Sequence, residues 1–89
     1  MSERREQERI DPAVTAERVD GGSVLVHLET NEIFELNATG SRIFELLRSQ
    51  KSRSEIGQAL VEEFEIESVT AERKLDEFLA ELRRRKILV

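Results

Sequence analysis

Residues 32–47 read EIFELNATGSRIFELL, and the spacing of their apolar side chains changes at Asn37. Before Asn37 the apolar residues alternate with acidic ones, as in a half-buried strand, whereas after it they fall on one side of a helix. Asn37 is suited to cap that helix, because its side-chain carbonyl can accept a hydrogen bond from an amide of the first turn. Gly40 weakens this turn as a helix, so we expect it to let the turn approach another backbone closely. The stretch therefore predicts a strand that leads directly into a helix.

Two more strands are predicted before this one. Residues 14–19, VTAERV, form the first, and the turn DGGS at residues 20–23 supplies glycines that can adopt positive φ. Residues 23–29, SVLVHLE, form the second, which is apolar on both faces and is therefore predicted to be central. Residues 30–31, Thr-Asn, form the next turn, in which asparagine can adopt the left-handed conformation.

The predicted register depends on the length of that turn. A two-residue loop places Leu28 opposite Ile33 and Leu25 opposite Leu36. The sheet then has two apolar stripes, one of Leu25, Phe34 and Leu36, the other of Val26, Leu28 and Ile33. Only one stripe can cover the core, so the other is covered either by another element of the chain or by a partner.

Two further helices are predicted downstream. Residues 52–55, SRSE, match a capping box, and apolar residues then recur at helical spacing from Ile56. Ser68 or Thr70 opens a third helix with an apolar face, and the final residues 87–89, ILV, are expected to pack as a short extended segment. The predicted fold is α+β, a three-stranded antiparallel sheet followed by three helices.

Composition favours one small domain without catalytic chemistry. The 89 residues include no cysteine, and the single histidine, His27, cannot form a typical zinc or catalytic cluster alone. The carboxylates lie mostly on solvated helix faces, so we predict a non-enzyme that needs no cofactor and no metal. Residues 1–12 alternate Arg and Glu up to Pro12 and are predicted to be a flexible tail, with the domain at residues 13–89.

Location and partners are constrained by charge and hydropathy. No signal peptide and no run of apolar residues long enough for a bilayer is present, so we expect a cytoplasmic protein without a membrane partner. The net charge of −5 disfavours a nucleic-acid partner. The alternative of a winged-helix nucleic-acid-binding protein stays open because the third helix is rich in Arg and Lys. A homodimer or structural subunit that pairs through the sheet edge is the third possibility.

The pattern as a whole resembles the PqqD-like family over residues 14–89. The resemblance lies in the Thr-Asn turn, the strand that ends in Leu36-Asn37, and the helix that begins ATG and continues IFEL at residues 43–46. The later apolar positions of the second and third helices add to it; they are Ile56, Leu60, Phe64, Leu75, Phe78, Leu79 and Leu82.

This resemblance implies a winged-helix-like domain that recognises the leader of a ribosomally made precursor peptide, a RiPP recognition element. It implies that the leader adds as a strand to residues 32–36 and rests beside the third helix. A helical wheel leaves two flanks of that helix open, and we predict that the flank with Phe78 lines the groove. The implied partners are the leader and a maturation protease, cyclase or other modifying enzyme, with a lasso-peptide pathway as a plausible setting. The residues predicted to bind the leader are Val26, Leu28, Glu32, Ile33, Phe34, Glu35, Lys74, Phe78, Glu81 and Arg85.

Overall fold

The computed structural model describes residues 8–89 and confirms the predicted order of three strands and three helices. The elements are β1 (Val14–Val19), β2 (Gly22–His27), β3 (Glu32–Leu36), α1 (Ala38–Arg48), α2 (Arg53–Phe64) and α3 (Ser68–Arg84). The strands form one antiparallel sheet in the order β1-β2-β3, so β2 is central as predicted. The described part of the chain is therefore an α+β fold.

The predicted register between β2 and β3 is wrong by two residues. Val26 lies opposite Ile33, and Leu25 lies opposite Phe34. The turn contains four residues, 28–31, because the backbone amide of Asn31 donates to the carbonyl of His27 at 2.7 Å, and Asn31 adopts a φ of 62°. A slip of two residues leaves each side chain on its predicted face, since the side-chain period of a strand is two. The two predicted stripes are therefore correct, although their pairing is not.

One face of the sheet, called the inner face below, packs under the helices. Leu25 is fully buried there, and the hydroxyl groups of Ser23 and Ser41 hydrogen-bond between β2 and α1. His27 is also buried; its Nε2 lies 3.0 Å from the carbonyl oxygen of Lys86, and its Nδ1 accepts from the amide of Glu29 at 3.3 Å. His27 is thus a structural residue, as predicted. The buried apolar residues are Leu25, Ile43, Phe44, Leu46, Leu47, Ile56, Leu60, Ala71, Leu75, Leu79, Leu82, Ile87 and Leu88.

Both predicted helix caps are confirmed. The Oδ1 atom of Asn37 accepts from the amide of Gly40 at 2.9 Å, which fixes the junction between β3 and α1. Ser52 and Glu55 form a reciprocal capping box at the start of α2, with distances of 3.1 and 2.9 Å. Each cap satisfies backbone amides that the helix itself leaves without a partner.

Gly22, rather than Gly40, is the glycine that comes close to another stretch of backbone. A Cβ at Gly22 would lie 1.8 Å from the carbonyl oxygen of Leu36, so Gly22 is the residue that allows a close backbone approach. A Cβ at Gly40 would instead lie 3.0 Å from Cε1 of the Phe78 ring. The predicted approach of Gly40 to another backbone is therefore wrong, because the neighbour is an aromatic side chain of α3.

The two ends of the described chain pair with each other. Ile10 forms an antiparallel bridge with Leu88, and the amide of Asp11 donates to the carbonyl of Ile87 at 2.7 Å. The amide of Val89 donates to the carbonyl of Arg9 at 2.8 Å, so the predicted extended C-terminal segment is present. Residues 8–12 were predicted to belong to a flexible tail because of their charge pattern, and that pattern carries no signal for this pairing. Residues 1–7 of the predicted tail lie outside the described part.

Candidate peptide-binding groove

The outer edge of β3 has no strand beside it within residues 8–89. β2 occupies the other side of β3, and the sheet ends there. On an edge strand, alternate residues direct their N–H and C=O groups away from the sheet, so only every second one of the five residues of β3 offers hydrogen bonds to an incoming chain. The capped junction at Asn37 holds this edge in a fixed position relative to α1.

A groove of about 400 Å³ runs between this edge and α3. Its walls are apolar at the base, with half-buried Phe34 and Phe78 facing buried Leu82, and charged at the rim. The residues that line it are Ile33, Phe34, Glu35, Leu36, Asn37, Phe78, Glu81, Leu82, Arg85 and Ile87. Such a groove can take apolar side chains of a peptide while the strand edge binds its backbone.

Phe78 separates this groove from a second hollow of about 290 Å³ near the start of α1. Phe78 and Asn37 line both hollows, and the absence of a side chain at Gly40 leaves room for the Phe78 ring. The second hollow is lined by Asn37, Thr39, Gly40, Ile43, Lys74, Glu77 and Phe78. The two hollows adjoin at these shared residues, and together they are called the trough below.

Charge at the groove is organised by Arg85. Its guanidinium carbon lies 4.8 Å from the centroid of the Phe34 ring, a cation–π contact between α3 and β3. Arg85 and Arg84 also pair with Glu81 on α3. The hydrogen bond from Arg85 lowers the pKa of Glu81, with further lowering by the positive charges of Arg84 and Arg85. The groove rim therefore presents a cation that is already held in place.

Six of the ten residues predicted to bind a leader line the main groove: Ile33, Phe34, Glu35, Phe78, Glu81 and Arg85. Lys74 lines the second hollow. Glu32, at the start of β3, lines neither hollow. Val26 and Leu28 also lie outside both hollows, because Val26 is on the central strand β2 rather than on the edge strand, and Leu28 lies in the turn that follows β2.

Four groove residues were not predicted. Leu36 and Leu82 were assigned to the core, and Asn37 only to the helix cap, although each also reaches the groove. Ile87 comes from the segment after α3, where the carbonyl of Ile87 accepts from Asp11. Residues that serve two surfaces give no separate sequence signal, and the position of Ile87 depends on pairing between the two ends of the described chain.

A larger hollow of about 580 Å³ lies between α2 and α3. Polar and charged side chains dominate its walls, and Arg53 pairs across it with Asp76. No strand edge lines it, so it offers no backbone site for a peptide. The groove beside β3 is therefore the better candidate.

Other classes of site receive no support in residues 8–89. No group of three or more metal-ligating side chains occurs there, and none of the described helices has the length and apolar character to cross a bilayer. The arginines at the end of α3, which suggested nucleic-acid binding, pair with carboxylates: Arg83 with Glu8 at 2.6 Å, and Arg84 and Arg85 with Glu81.

Comparison with known proteins decides the family. The model of the family described as coenzyme PQQ synthesis protein D (PqqD) matches residues 22–88. The chain belongs to the PqqD family. The match includes the groove residues on β3, α3 and the C-terminal segment, so the groove is part of the PqqD domain.

Two solved structures resemble this PqqD-family chain over nearly its whole length. TbiB1, in its complex with the TbiA(beta) leader peptide, is 39% identical, with a TM-score of 0.85 and coverage of 90% of this chain and 93% of TbiB1. A lasso peptide synthetase B1 complexed with the leader peptide is 26% identical, with a TM-score of 0.86 and coverage of 93% and 98%. No curated protein matches the chain. The comparisons add no support for nucleic-acid binding.

Proposed function

We propose that this chain is a non-catalytic adaptor that binds the leader segment of a ribosomally synthesised precursor peptide. The leader adds as a strand along β3, and the adaptor presents the peptide to a separate maturation protease, cyclase or other modifying enzyme. A lasso-peptide pathway in the cytoplasm is the proposed setting. The proposal rests on a PqqD-family match over residues 22–88 and on two similar structures that contain leader peptides.

The observation that carries the proposal is the position of the groove. The unpaired edge of β3 lies directly beside an apolar trough, and both occur in a chain 39% identical to a protein whose structure holds a leader peptide. An edge without a groove would bind any extended chain weakly and without selection. The combination supplies backbone hydrogen bonds for affinity and side-chain pockets for selectivity.

The energetic problem of such binding is the entropy lost when a flexible leader becomes ordered. Apolar side chains of the leader that enter the trough beside Phe34 and Phe78 offset this loss, at about 25 cal/mol for each Å² of apolar surface removed from water. Arg85 is pre-positioned by Phe34 and Glu81, so a leader carboxylate would gain a partner that needs little further ordering.

Strand addition is tested by titrating the purified domain with a synthetic leader of the precursor peptide encoded beside its gene. Two further versions of the leader carry N-methyl groups on alternate residues, each on one of the two possible sets. We expect that only one set abolishes binding, because only alternate amides of an added strand bond to β3. Equal affinity of both N-methylated leaders would contradict strand addition, and no binding of the unmodified leader to the folded domain would contradict the function itself.

The groove is tested with matched arginine variants of α3. Arg85→Gln removes the cation over Phe34 and is expected to weaken leader binding several-fold, with little loss of stability because the side chain is partly exposed. Arg73→Gln changes the charge equally on the same helix but lies outside both hollows. Isothermal titration calorimetry measures both affinities, and equal effects would show that only net charge matters.

A further inference from the structure

The face of the sheet turned away from the helices, called the outer face here, remains open in the described structure. Side chains alternate between the two faces along each paired strand. The buried residues of β2 lie on the inner face, so the residues between them lie on the outer face. Leu28 and Ile33 are 60% and 67% exposed, and Val19 is 50% exposed. The strand residues of the outer face are Thr15, Glu17, Val19, Val24, Val26, Ile33 and Glu35, and Leu28 lies in the turn that follows β2.

The outer face is divided into an apolar row and an acidic row. Val26 lies between Thr15 and Ile33 in one row across the three strands. The next row places Val24 between Glu17 and Glu35. Adjacent rows on one face are about 7 Å apart, since each strand residue rises about 3.4 Å. Exposed aliphatic side chains therefore stand one row away from a pair of carboxylates.

The carboxylates of this face have no ion-pair partner within the described residues, whereas several charges on the helical side do. Neither Glu17 nor Glu35 has an ion-pair partner among residues 8–89. The only Arg or Lys between residues 14 and 36 is Arg18, and it pairs with Glu45 of α1 on the helical side. On the helical side, Arg42 bonds to Glu63 and Arg53 to Asp76. The outer face thus keeps negative charge available for an external cation.

We infer that the outer face is a docking surface for a second protein that presents Lys or Arg beside apolar anchors. Complementary charge selects such a partner and excludes like-charged surfaces. A second copy of this chain is disfavoured, because two outer faces would bring Glu17 and Glu35 against each other in a chain of net charge −5. An amphipathic helix fits the row spacing, since residues four apart on a helix are about 6 Å apart.

On β1 and β2 this surface lies outside the groove, so an enzyme docked there leaves the groove open to the leader, while Ile33 and Glu35 belong to both surfaces. The part of the inference that concerns the enzyme rests on the proposed function. A leader strand added to β3 would extend the sheet, so the outer face and alternate leader side chains would form one continuous surface. A basic partner docked there would contact both chains, and its affinity would rise when the leader is bound.

The docking surface is tested with two synthetic helical peptides of the same length. One carries Leu and Lys on opposite faces, and the other replaces every Lys by Glu. Each is titrated into the ¹⁵N-labelled full chain, and amide shifts are mapped by NMR. We expect the Leu/Lys peptide to shift amides of Val24, Val26 and Ile33, and the Leu/Glu peptide to leave them unchanged. Shifts confined to the cleft between α2 and α3 would overturn the inference.

Two double variants separate the outer face from general acidity. Thr15→Lys with Glu17→Lys changes the outer face on β1, far from the groove, and is expected to weaken the Leu/Lys peptide roughly tenfold. Gln58→Lys with Glu62→Lys makes the same change of charge on exposed positions of α2 and is expected to have little effect. Equal weakening by both pairs would overturn the inference, because binding would then follow net charge alone.

Two further measurements complete the test. Titration of the first double variant with the leader is expected to give wild-type affinity, so a failure of leader binding and a failure of peptide docking are distinguished. The mass of the chain in solution is measured at increasing concentration. A dimer of the unmodified chain that the Leu/Lys peptide dissociates would overturn the inference in favour of a second copy.

Discussion

The two faces of β2 show how one short strand serves both folding and binding. Leu25 is fully buried against the helices, whereas its neighbour Val26 is half-buried on the outer face. The same contrast extends to charge, because Arg18 is paired with Glu45 on the helical side and Glu17, its neighbour on the outer face, has no ion-pair partner in the described residues. The helices cover the inner face of β2, so within the described residues only its outer face stays accessible.

The largest change in stability is expected when Leu25 on β2 is replaced by alanine, and the same replacement at its neighbour Val26 is the control. Leu25→Ala removes a fully buried side chain and should lower the free energy of unfolding by about 2–5 kcal/mol. Val26→Ala should cost at most about 1 kcal/mol, because the side chain already contacts water. Urea unfolding monitored by circular dichroism measures both. Similar losses would mean that the outer face is also part of the core.

Replacing either of two capping residues should reduce stability by a similar amount, but only one of the two residues lines the groove. Asn37→Ala and Ser52→Ala each remove a side-chain cap and should destabilise the domain by about 1 kcal/mol. Only Asn37 lines the groove, so only its replacement should also weaken leader binding. Urea unfolding and leader titration are compared for the two variants. A leader affinity that falls equally in both would assign the effect to general loosening of the fold.

The helical glycines provide a matched pair with a smaller effect. A Cβ at Gly57 meets nothing within 4 Å, so Gly57→Ala should raise the free energy of unfolding by about 0.5–1 kcal/mol and leave leader binding unchanged. Gly40→Ala gains similar helix propensity but displaces the Phe78 ring, 3.0 Å away, so stability should change less and leader affinity should fall. Unchanged leader affinity in Gly40→Ala would show that the position of Phe78 does not control the groove.

The smallest effect concerns the ion pairs of the helical side. Arg42 lowers the pKa of Glu63, mainly through their hydrogen bond. At a pH above the ordinary glutamate pKa, the pair therefore stabilises the fold. This contribution is lost as the pH falls through the lowered pKa of Glu63. Glu63→Gln should cost about 0.2–1 kcal/mol at neutral pH and nothing in acid, because the pair is exposed.

Glu17→Gln is the matched control, since Glu17 has no ion-pair partner among residues 8–89. Urea unfolding at neutral and at acidic pH is measured for both variants. If Glu17→Gln lowered the free energy of unfolding at neutral pH as much as Glu63→Gln does, this would contradict the conclusion that Glu63 is paired and Glu17 is not.

Much of the fold could be predicted from local pattern. The cap at Asn37, the capping box at Ser52 and the left-handed turn residue Asn31 each depend on the chemistry of one or two neighbouring residues, and all three are confirmed. The register of β3 was wrong because Leu28, an apolar residue, was assigned to a strand although it lies in a four-residue turn. Hydrophobicity alone does not distinguish the last strand residue from the first turn residue.

The groove was predicted only in part, because local pattern does not show contacts between residues that are distant in the chain. Family resemblance and helical spacing indicated Phe78, Glu81 and Arg85, which lie together on one flank of α3. Ile87 in the groove and Gly40 in the second hollow were missed, because their positions depend on contacts with Asp11 and Phe78, which are distant in the chain. Such contacts leave no periodic signal in the sequence.

The sequence by itself determined which residues form strands and helices, which side chains face the core, and where β3 passes into α1. These properties follow from alternation, helical spacing and capping, all of which act between residues close in the chain. Only the tertiary structure decided that the trough opens between β3 and α3, and that the carboxylates of the outer face have no ion-pair partner among residues 8–89. These properties depend on which elements pack together, because a surface is available for binding only where no other part of the chain covers it.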